Sequence, residues 1–312
     1  MDQKHIEIIV PCFNEESCVE LIYQAIHNTA KTIKAYKISI LYVDDGSKDH
    51  TLQNIKEICK KADLNEIHYI SFARNFGKEA AIYAGLKSSQ ADYIALMDAD
   101  LQHPPELLAD MIKGIEEGYE CCGARRVNRN GESWIRSTFS TIFYKTISKM
   151  TATQMEQGTT DYRLMSRRFV DAVLSMSETN RFTKGIFAWV GFQTKWVTYE
   201  NVERVAGSTK WSFSGLLRYA VNGLMSFATA PLRGAVYLGF FVMLLAFVYG
   251  IMVFVSALNS DGVRTGYASL MFVLLMLGSI IIFLLGVIGE YLARIYMEVK
   301  KRPIYIAKEE KL

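Results

Sequence analysis

The 312-residue chain is 50% apolar, carries 35 Lys and Arg against 32 Asp and Glu for a formal net charge of +3, and contains 5 cysteines. So even a balance leaves no electrostatic footprint for nucleic acid, and so apolar a composition excludes intrinsic disorder and collagen. The charge is unevenly placed, with only 12 of the 67 charged residues beyond Arg233.

In chain order, the first 233 residues alternate short β-rich runs with segments of helical pattern. Ile6 to Val10, Ile38 to Val43, His68 to Phe72 and Tyr93 to Met97 are rich in Ile, Val and Tyr. Between them, Val19 to Ile33, Thr51 to Lys61 and Lys78 to Leu86 place apolar residues three and four apart, and Ser47 to Thr51 is suited to open the second helix. This alternation predicts an α/β domain with a parallel sheet and helices on both faces. Ile6 to Val10 is too short for a signal-peptide core, so the first domain is expected to stay in the compartment where it is made. Cys12, Cys18, Cys59, Cys121 and Cys122 show no C-x-x-C pairing and no histidine cluster, so neither zinc nor a disulfide framework is expected and a reduced compartment fits.

In parallel sheets ligands bind beyond the carboxyl ends of the strands. The segments there are Pro11 to Glu16, Asp44 to Ser47, Ala73 to Lys78 and Asp98 to Gln102, which gather polar and acidic groups at one edge. Neither G-x-G-x-x-G after the first strand nor G-x-x-x-x-G-K-[ST] occurs, so a dinucleotide cofactor and a P-loop have no support. Asp98 and Asp100 flank one alanine and are able to share a divalent cation, with Gln102 as a neutral oxygen; hard ligands of this kind suit Mg²⁺ or Mn²⁺. The alternatives at Asp44, Asn14 and Glu15 are local, since Asx turns and helix starts use the same residues.

Farther on, Ile135 to Met150 and Phe213 to Ala230 are amphipathic and read either as core helices or as helices lying in a membrane interface. Arg125, Arg126, Arg129 and Arg136 form a basic run, and arginine grips phosphate oxygens bidentately. Gly234 to Leu258 and Thr265 to Gly289 each hold 25 residues without a charge. As helices, each spans about 37 Å, more than a hydrocarbon core of roughly 30 Å. The expectation is a membrane hairpin that returns Lys300, Lys301 and Arg302 to the side of the first domain, as the positive-inside rule prefers. The domain reading is 1–211 catalytic, 212–233 juxtamembrane, 234–258 and 265–289 spanning, and 290–312 a basic cytosolic tail.

The motifs V-P-C-F-N-E-E, V-D-D-G-S-K-D-H-T, F-A-R-N-F-G-K-E, D-A-D-L-Q-H-P-P-E, D-Y-R-L-M-S-R-R and the tail G-E-Y-L-A-R-I-Y-M-E-V-K-K-R-P-I-Y occur in this order from about Ile6 to Tyr305. As a set they resemble glycosyltransferase family 2, in its branch of bacterial polyprenyl-phosphate glucosyltransferases, relatives of dolichol-phosphate mannose synthase. The resemblance implies a GT-A fold and inverting transfer of a hexose from a nucleotide sugar to a polyprenyl phosphate for cell-envelope glycans. UDP-glucose is the preferred donor, with UDP-N-acetylglucosamine and UDP-galactose open.

The resemblance assigns Pro11, Asn14, Glu15, Asp45, Lys78, Asp98 and Lys210 to the nucleotide sugar, and Asp98, Asp100 and Gln102 to the metal and diphosphate. It gives the lipid phosphate Arg125, Arg136 and Ser140, and the catalytic roles Asp161, Asp100 and Arg136. Asp161 is open between base and orienting group, although a phosphate acceptor with a second pKa of about 6 is already an anion near neutral pH. A homo-oligomer, a tetramer among the options, is compatible with the resemblance. A processive synthase is disfavoured because Q-x-x-R-W is missing, and a nucleotide-sugar-binding membrane scaffold without turnover is the reading of another class. Every residue assigned to chemistry precedes Gly234, so the remainder reads as an anchor for a site already complete.

Overall fold

The computed structural model describes residues 3–61, 66–126, 158–176, 178–199, 230–258 and 266–312. Arg129, Arg136, Ser140 and Lys210 lie outside them, as do the segment 135–150 and nearly all of 213–230. The chain divides into two compact units, 1–223 together with 302–312, and 224–301.

The first unit is built on an eight-stranded sheet. Strands β1 (His5–Cys12), β2 (Lys37–Asp44), β3 (Ile67–Phe72) and β4 (Tyr93–Leu96) are its parallel centre, followed in the chain by β5 (Cys121–Arg126), β6 (Thr159–Ser166), β7 (Thr194–Tyr199) and β8 (Ala307–Lys311). Their spatial order is β7-β5-β6-β4-β1-β2-β3-β8. β1 pairs parallel with β2 and β4, β2 with β3, and β5 with β7, whereas β6 runs antiparallel to β4 and β5, and β8 antiparallel to β3. The β runs expected from sequence thus become the central strands, in a mostly parallel α/β sheet.

The helices of this unit are α1 (Val19–Thr32), α2 (Thr51–Lys61), α3 (Lys78–Ser88), α4 (Leu107–Glu116), α5 (Arg167–Leu174) and α6 (Thr183–Trp189). Burial drives their placement: Val19, Ile22 and Ile26 of α1, Ile55 and Ile58 of α2, and Leu108, Met111 and Ile115 of α4 close over Ile6, Ile8 and Val10. The alternate residue Ile9 faces α3, and a methyl group built on Gly85 would stand 2.4 Å from its Cγ2, so helix and strand touch there only because Gly85 has no side chain. The second helix opens within the expected segment Ser47 to Thr51, where Asp49 receives the Thr51 N–H at 3.1 Å and its hydroxyl at 2.6 Å. Ser47 is used elsewhere, as an acceptor for the Asn14 N–H at 2.9 Å.

The second unit holds α7 (Ala230–Leu258) and α8 (Tyr267–Val299), an apolar hairpin. Both helices are long and apolar enough to cross a membrane, and their large side chains are bare, with Val236 at 70% and Ile282 at 71% exposure. Arg294 pairs with Glu290 one turn earlier at 2.9 Å, as their spacing suggests. The sequence reading ends the second span at Gly289 and has 290–312 as a cytosolic basic tail; the helix itself continues to Val299, and Ala307–Lys311 forms an edge strand of the first unit.

Candidate active site

The loops after β1, β2 and β3 are tied together by side chains that would otherwise be short of partners. Asn14 adopts φ 53, a left-handed conformation that asparagine tolerates, and its Oδ1 accepts the Lys48 N–H at 2.9 Å. Glu15 donates its N–H to Thr51 at 2.8 Å, and Glu16 accepts the His50 N–H at 3.0 Å. The adjacent carboxylates Asp44 and Asp45 are both buried and point to different tasks. Asp44 forms the Asx turn with the Ser47 N–H at 3.1 Å and accepts the Ser71 hydroxyl at 2.7 Å. Asp45 accepts the Phe76 and Gly77 N–H groups at 2.6 and 2.9 Å, fixing the loop that leads into α3. Burial pushes the Asp45 carboxyl up and these two N–H donors oppose it. Gly46, the next residue, has φ +66, and a Cβ there would meet the Arg74 backbone at 2.4 Å.

A cavity of about 390 Å³ opens at this edge. Phe13, Asp44, Ser71, Arg74, Asn75 and Lys308 are among its lining residues.

The loop held by Asp45 delivers Lys78 to the ends of β4 and β6. Its ammonium lies 2.7 Å from Asp98 and 2.6 Å from Asp161, while Lys184 of α6 approaches the other Asp161 oxygen at 3.8 Å. Burial alone would raise the Asp161 carboxyl, but Lys184 and Lys78 outweigh it and hold the group well below the usual carboxylate range. Against the cost of its own desolvation, Asp161 and Asp98 keep Lys78 protonated far above its ordinary range. The antiparallel turn of β6 is what makes this meeting possible, since it pairs Leu96 of β4 with Arg163 and brings Asp161 to the same edge as Asp98. Beside it, Glu79 accepts the Thr183 N–H at 2.9 Å and the Thr183 hydroxyl, which pins the start of α6, and so Lys184, to the start of α3.

Asp100 accepts the Gln102 N–H at 3.2 Å, so the D-x-D segment forms its own turn, with Leu101 at φ 53. Buried His103 braces it: its Nδ1 lies 2.6 Å from the Tyr199 hydroxyl and its ring stacks at 6.1 Å on Tyr162, which donates to the Pro105 carbonyl at 3.0 Å. Burial pulls the His103 pKa down and keeps the ring neutral, outweighing Asp98 and Asp100. Arg126 hydrogen-bonds to Tyr199, so this arginine serves the brace. Arg125 sits on β5 opposite Thr159 and Thr198. Pro11 is the penultimate residue of β1, opposite Val43. The sequence reading names Lys78, Asp98 and Asp161 separately but contains neither their contact nor the parts played by Glu79, Thr183, Lys184, His103 and Tyr199.

Acidic strand ends, a cavity beside them and a carboxylate-held ammonium make the carboxyl edge of this α/β sheet the candidate active site of an enzyme. Comparison with known proteins gives the family. The description "Glycosyl transferase family 2" matches residues 7–174, and "GtrB C-terminal hairpin" matches 230–295. The chain belongs to glycosyl transferase family 2 and is a glycosyltransferase. It is 47% identical over 309 residues to CsbB of Bacillus subtilis (strain 168), designated a glycosyltransferase, covering 99% of this chain and 93% of that one. It is 38% identical over 306 residues to the bactoprenol glucosyl transferase of Shigella phage SfV, covering 98% and 99%. Among solved structures, the mannosyltransferase PcManGT from Pyrobaculum calidifontis, in complex with GDP-Man and Mn2+, matches with TM-score 0.50 at 17% identity, covering 70% of this chain and 61% of that one. That likeness establishes the GT-A type of fold.

Proposed function

We propose that this protein transfers glucose from UDP-glucose to a polyprenyl phosphate, undecaprenyl phosphate in a bacterial membrane, with inversion at the anomeric carbon. The product is a lipid-linked sugar for cell-envelope glycan modification. The observation that carries the reading is the Lys78 bridge between Asp98 and Asp161. It lies in a chain 38% identical, nearly end to end, to bactoprenol glucosyl transferases. The apolar hairpin supports a membrane-anchored enzyme, and the reading takes that membrane to be the plasma membrane. Residues on both sides of the hairpin fold into one unit, which supports two crossings, and the reading puts the catalytic unit on the cytosolic side.

The donor set suits a hard divalent cation. Asp98 and Asp100 would hold it with Gln102, and among the described residues no group of three His, Cys, Asp or Glu surrounds it. Phosphate and water oxygens would complete the shell, the usual habit of Mg²⁺. When bound, Mg²⁺ or Mn²⁺ supplies Lewis-acid neutralisation of the departing diphosphate.

The remaining steps belong to the protein. The cavity beside Asp44 receives the nucleoside, with Phe13 offering a ring face and Asn75 and Arg74 offering donors. Pro11, Asn14, Glu15 and Asp45 act by setting the loops around it, Asp45 through the Phe76 and Gly77 N–H groups. Arg125, with Arg136 and Ser140, receives the lipid phosphate, and Lys210 the donor diphosphate. The acceptor oxygen is already anionic and displaces the nucleoside diphosphate in line, so no base is needed. Asp161 remains a carboxylate and orients Lys78, whose ammonium meets the charge that develops on the leaving phosphate.

Thin-layer chromatography tests this against a sugar-binding scaffold. Labelled glucose is expected to move from UDP-glucose into an organic-extractable lipid when Mg²⁺ or Mn²⁺ is present, and to stay in the aqueous phase after chelation. Nucleotide-sugar binding without any transfer overturns the proposal.

A further inference from the structure

The chain beyond the second apolar helix builds part of the cavity. β8 runs along β3 with Ala307 opposite Phe72, Glu309 opposite Ser71, Glu310 opposite Ile70 and Lys311 opposite Tyr69. The register shifts between Ser71 and Phe72, so Lys308 is the one residue of β8 without an opposite number. Such a bulge bends a strand and re-aims a side chain, and bulges recur beside active sites. Lys308 is also the residue that β8 contributes to the cavity lining, together with Asp44, Ser71, Arg74 and Asn75.

The strand is fastened on both sides of the bulge. Before it, the Ile306 carbonyl accepts the Ala73 N–H at 3.0 Å, and Tyr305 stacks on Phe72 with centroids 4.9 Å apart. After it, Lys56 of α2 reaches both oxygens of Glu309 at 2.7 Å. A solvated tail needs none of these contacts, and together they hold one lysine at the mouth of a pocket. In that pocket both Asp44 oxygens are already occupied by Ser47 and Ser71.

We propose that Lys308 is a donor-site residue, whose ammonium donates to an oxygen of the nucleoside, a base carbonyl or ribose hydroxyl. This rests on the reading of the cavity as the nucleoside site. The active site is then completed by residues from after the membrane hairpin, and the hairpin is a loop inserted between two parts of one site.

The test is calorimetric titration of the full-length protein in detergent with UDP and UMP. Lys308→Ala is expected to weaken both by the same factor, about tenfold for the loss of one charge-assisted hydrogen bond, with Lys308→Arg recovering most of the affinity. In turnover, the donor KM rises while kcat at saturating donor and the acceptor KM hold. Binding of UDP and UMP by the alanine variant at wild-type affinity overturns the proposal. A loss with UDP but not UMP overturns it too, because it moves the lysine to the second phosphate. Wild-type protein that binds neither nucleotide overturns the cavity reading itself, which separates that failure from failure of the Lys308 role alone. Lys308 is exposed, so an unchanged melting temperature in the alanine variant is expected, and Lys308→Gln serves as the second neutral variant.

Discussion

Lys78 donates to Asp161 at 2.6 Å across 83 positions of sequence, joining the start of a helix to an antiparallel strand that arrives from a different part of the chain. The pair carries opposite charges that each make the other's charged state easier to hold. In the proposed reaction, between a diphosphate and a lipid phosphate, this arrangement would keep a cation in place without leaving it free to collapse onto either anion.

Replacing Asp161 with Asn is therefore expected to lower kcat by roughly 10²–10³-fold, the usual loss when an electrostatic group aimed at a developing charge is removed. The shape of the pH–rate profile should not change. The folded-state pKa of Asp161 is depressed, so its ionised form persists from neutral pH down through the window where free carboxylates titrate. The acid limb of the wild-type profile should then follow the acceptor phosphate, near pH 6, and the same limb at lower amplitude is expected for Asp161→Asn. An acid limb that disappears in the variant would return Asp161 to the role of base.

His103 gives a pH dependence of stability. Its folded-state pKa is lowered by burial, so the unfolded chain binds more protons below about pH 6.5. Its stabilising share is complete above that value and declines as pH falls toward the folded pKa. The denaturation midpoint of wild-type protein should drop between pH 7.5 and pH 5.5 by more than that of His103→Gln, read by tryptophan fluorescence.

Gly46→Ala combines a φ of +66 with a Cβ placed 2.4 Å from the Arg74 backbone. Backbone cannot move aside as a flexible side-chain tip does. A loss of stability of about 1–3 kcal/mol is expected from the strained conformation alone, with donor binding weakened in parallel because Arg74 and Asn75 line the cavity. A thermal melt and a UDP titration check both.

Asp45→Ala removes the acceptor of two half-buried backbone N–H groups in the loop that leads into α3. A cost of about 1.5–3 kcal/mol follows from hydrogen bonds to a charged group. Faster hydrogen exchange at Phe76 and Gly77 is the local signature, and an unchanged exchange rate there would separate Asp45 from the loop.

Much of this was legible in the sequence, for particular reasons. Ile6 to Val10 and Ile38 to Val43 are buried on both faces and so appear as apolar runs broken only by Glu7 and Ser39, and the acidic residues that follow them fall where a parallel sheet gathers its ligands. The D-x-D pair was found the same way. What escaped depends on contacts between distant segments. Ala-Lys-Glu-Glu-Lys at 307–311 has no β propensity or apolar alternation, and only the free edge of β3 makes it a strand. The two lysines on Asp161 sit at the starts of α3 and α6, 106 positions apart, with no spacing rule to connect them. The sequence separates Asp44, open to an Asx turn, from Asp45, but the partners of each depend on the opposite directions of adjacent side chains at a strand end.

The central claim is tested most directly by mass spectrometry of the lipid product formed from undecaprenyl phosphate, Mg²⁺ or Mn²⁺ and a panel of UDP-glucose, UDP-N-acetylglucosamine, UDP-galactose and GDP-mannose. The account predicts one hexose added to the lipid phosphate from UDP-glucose, with turnover greatly reduced in Asp100→Ala. No lipid-linked sugar from any donor, or full turnover in Asp100→Ala, would contradict it.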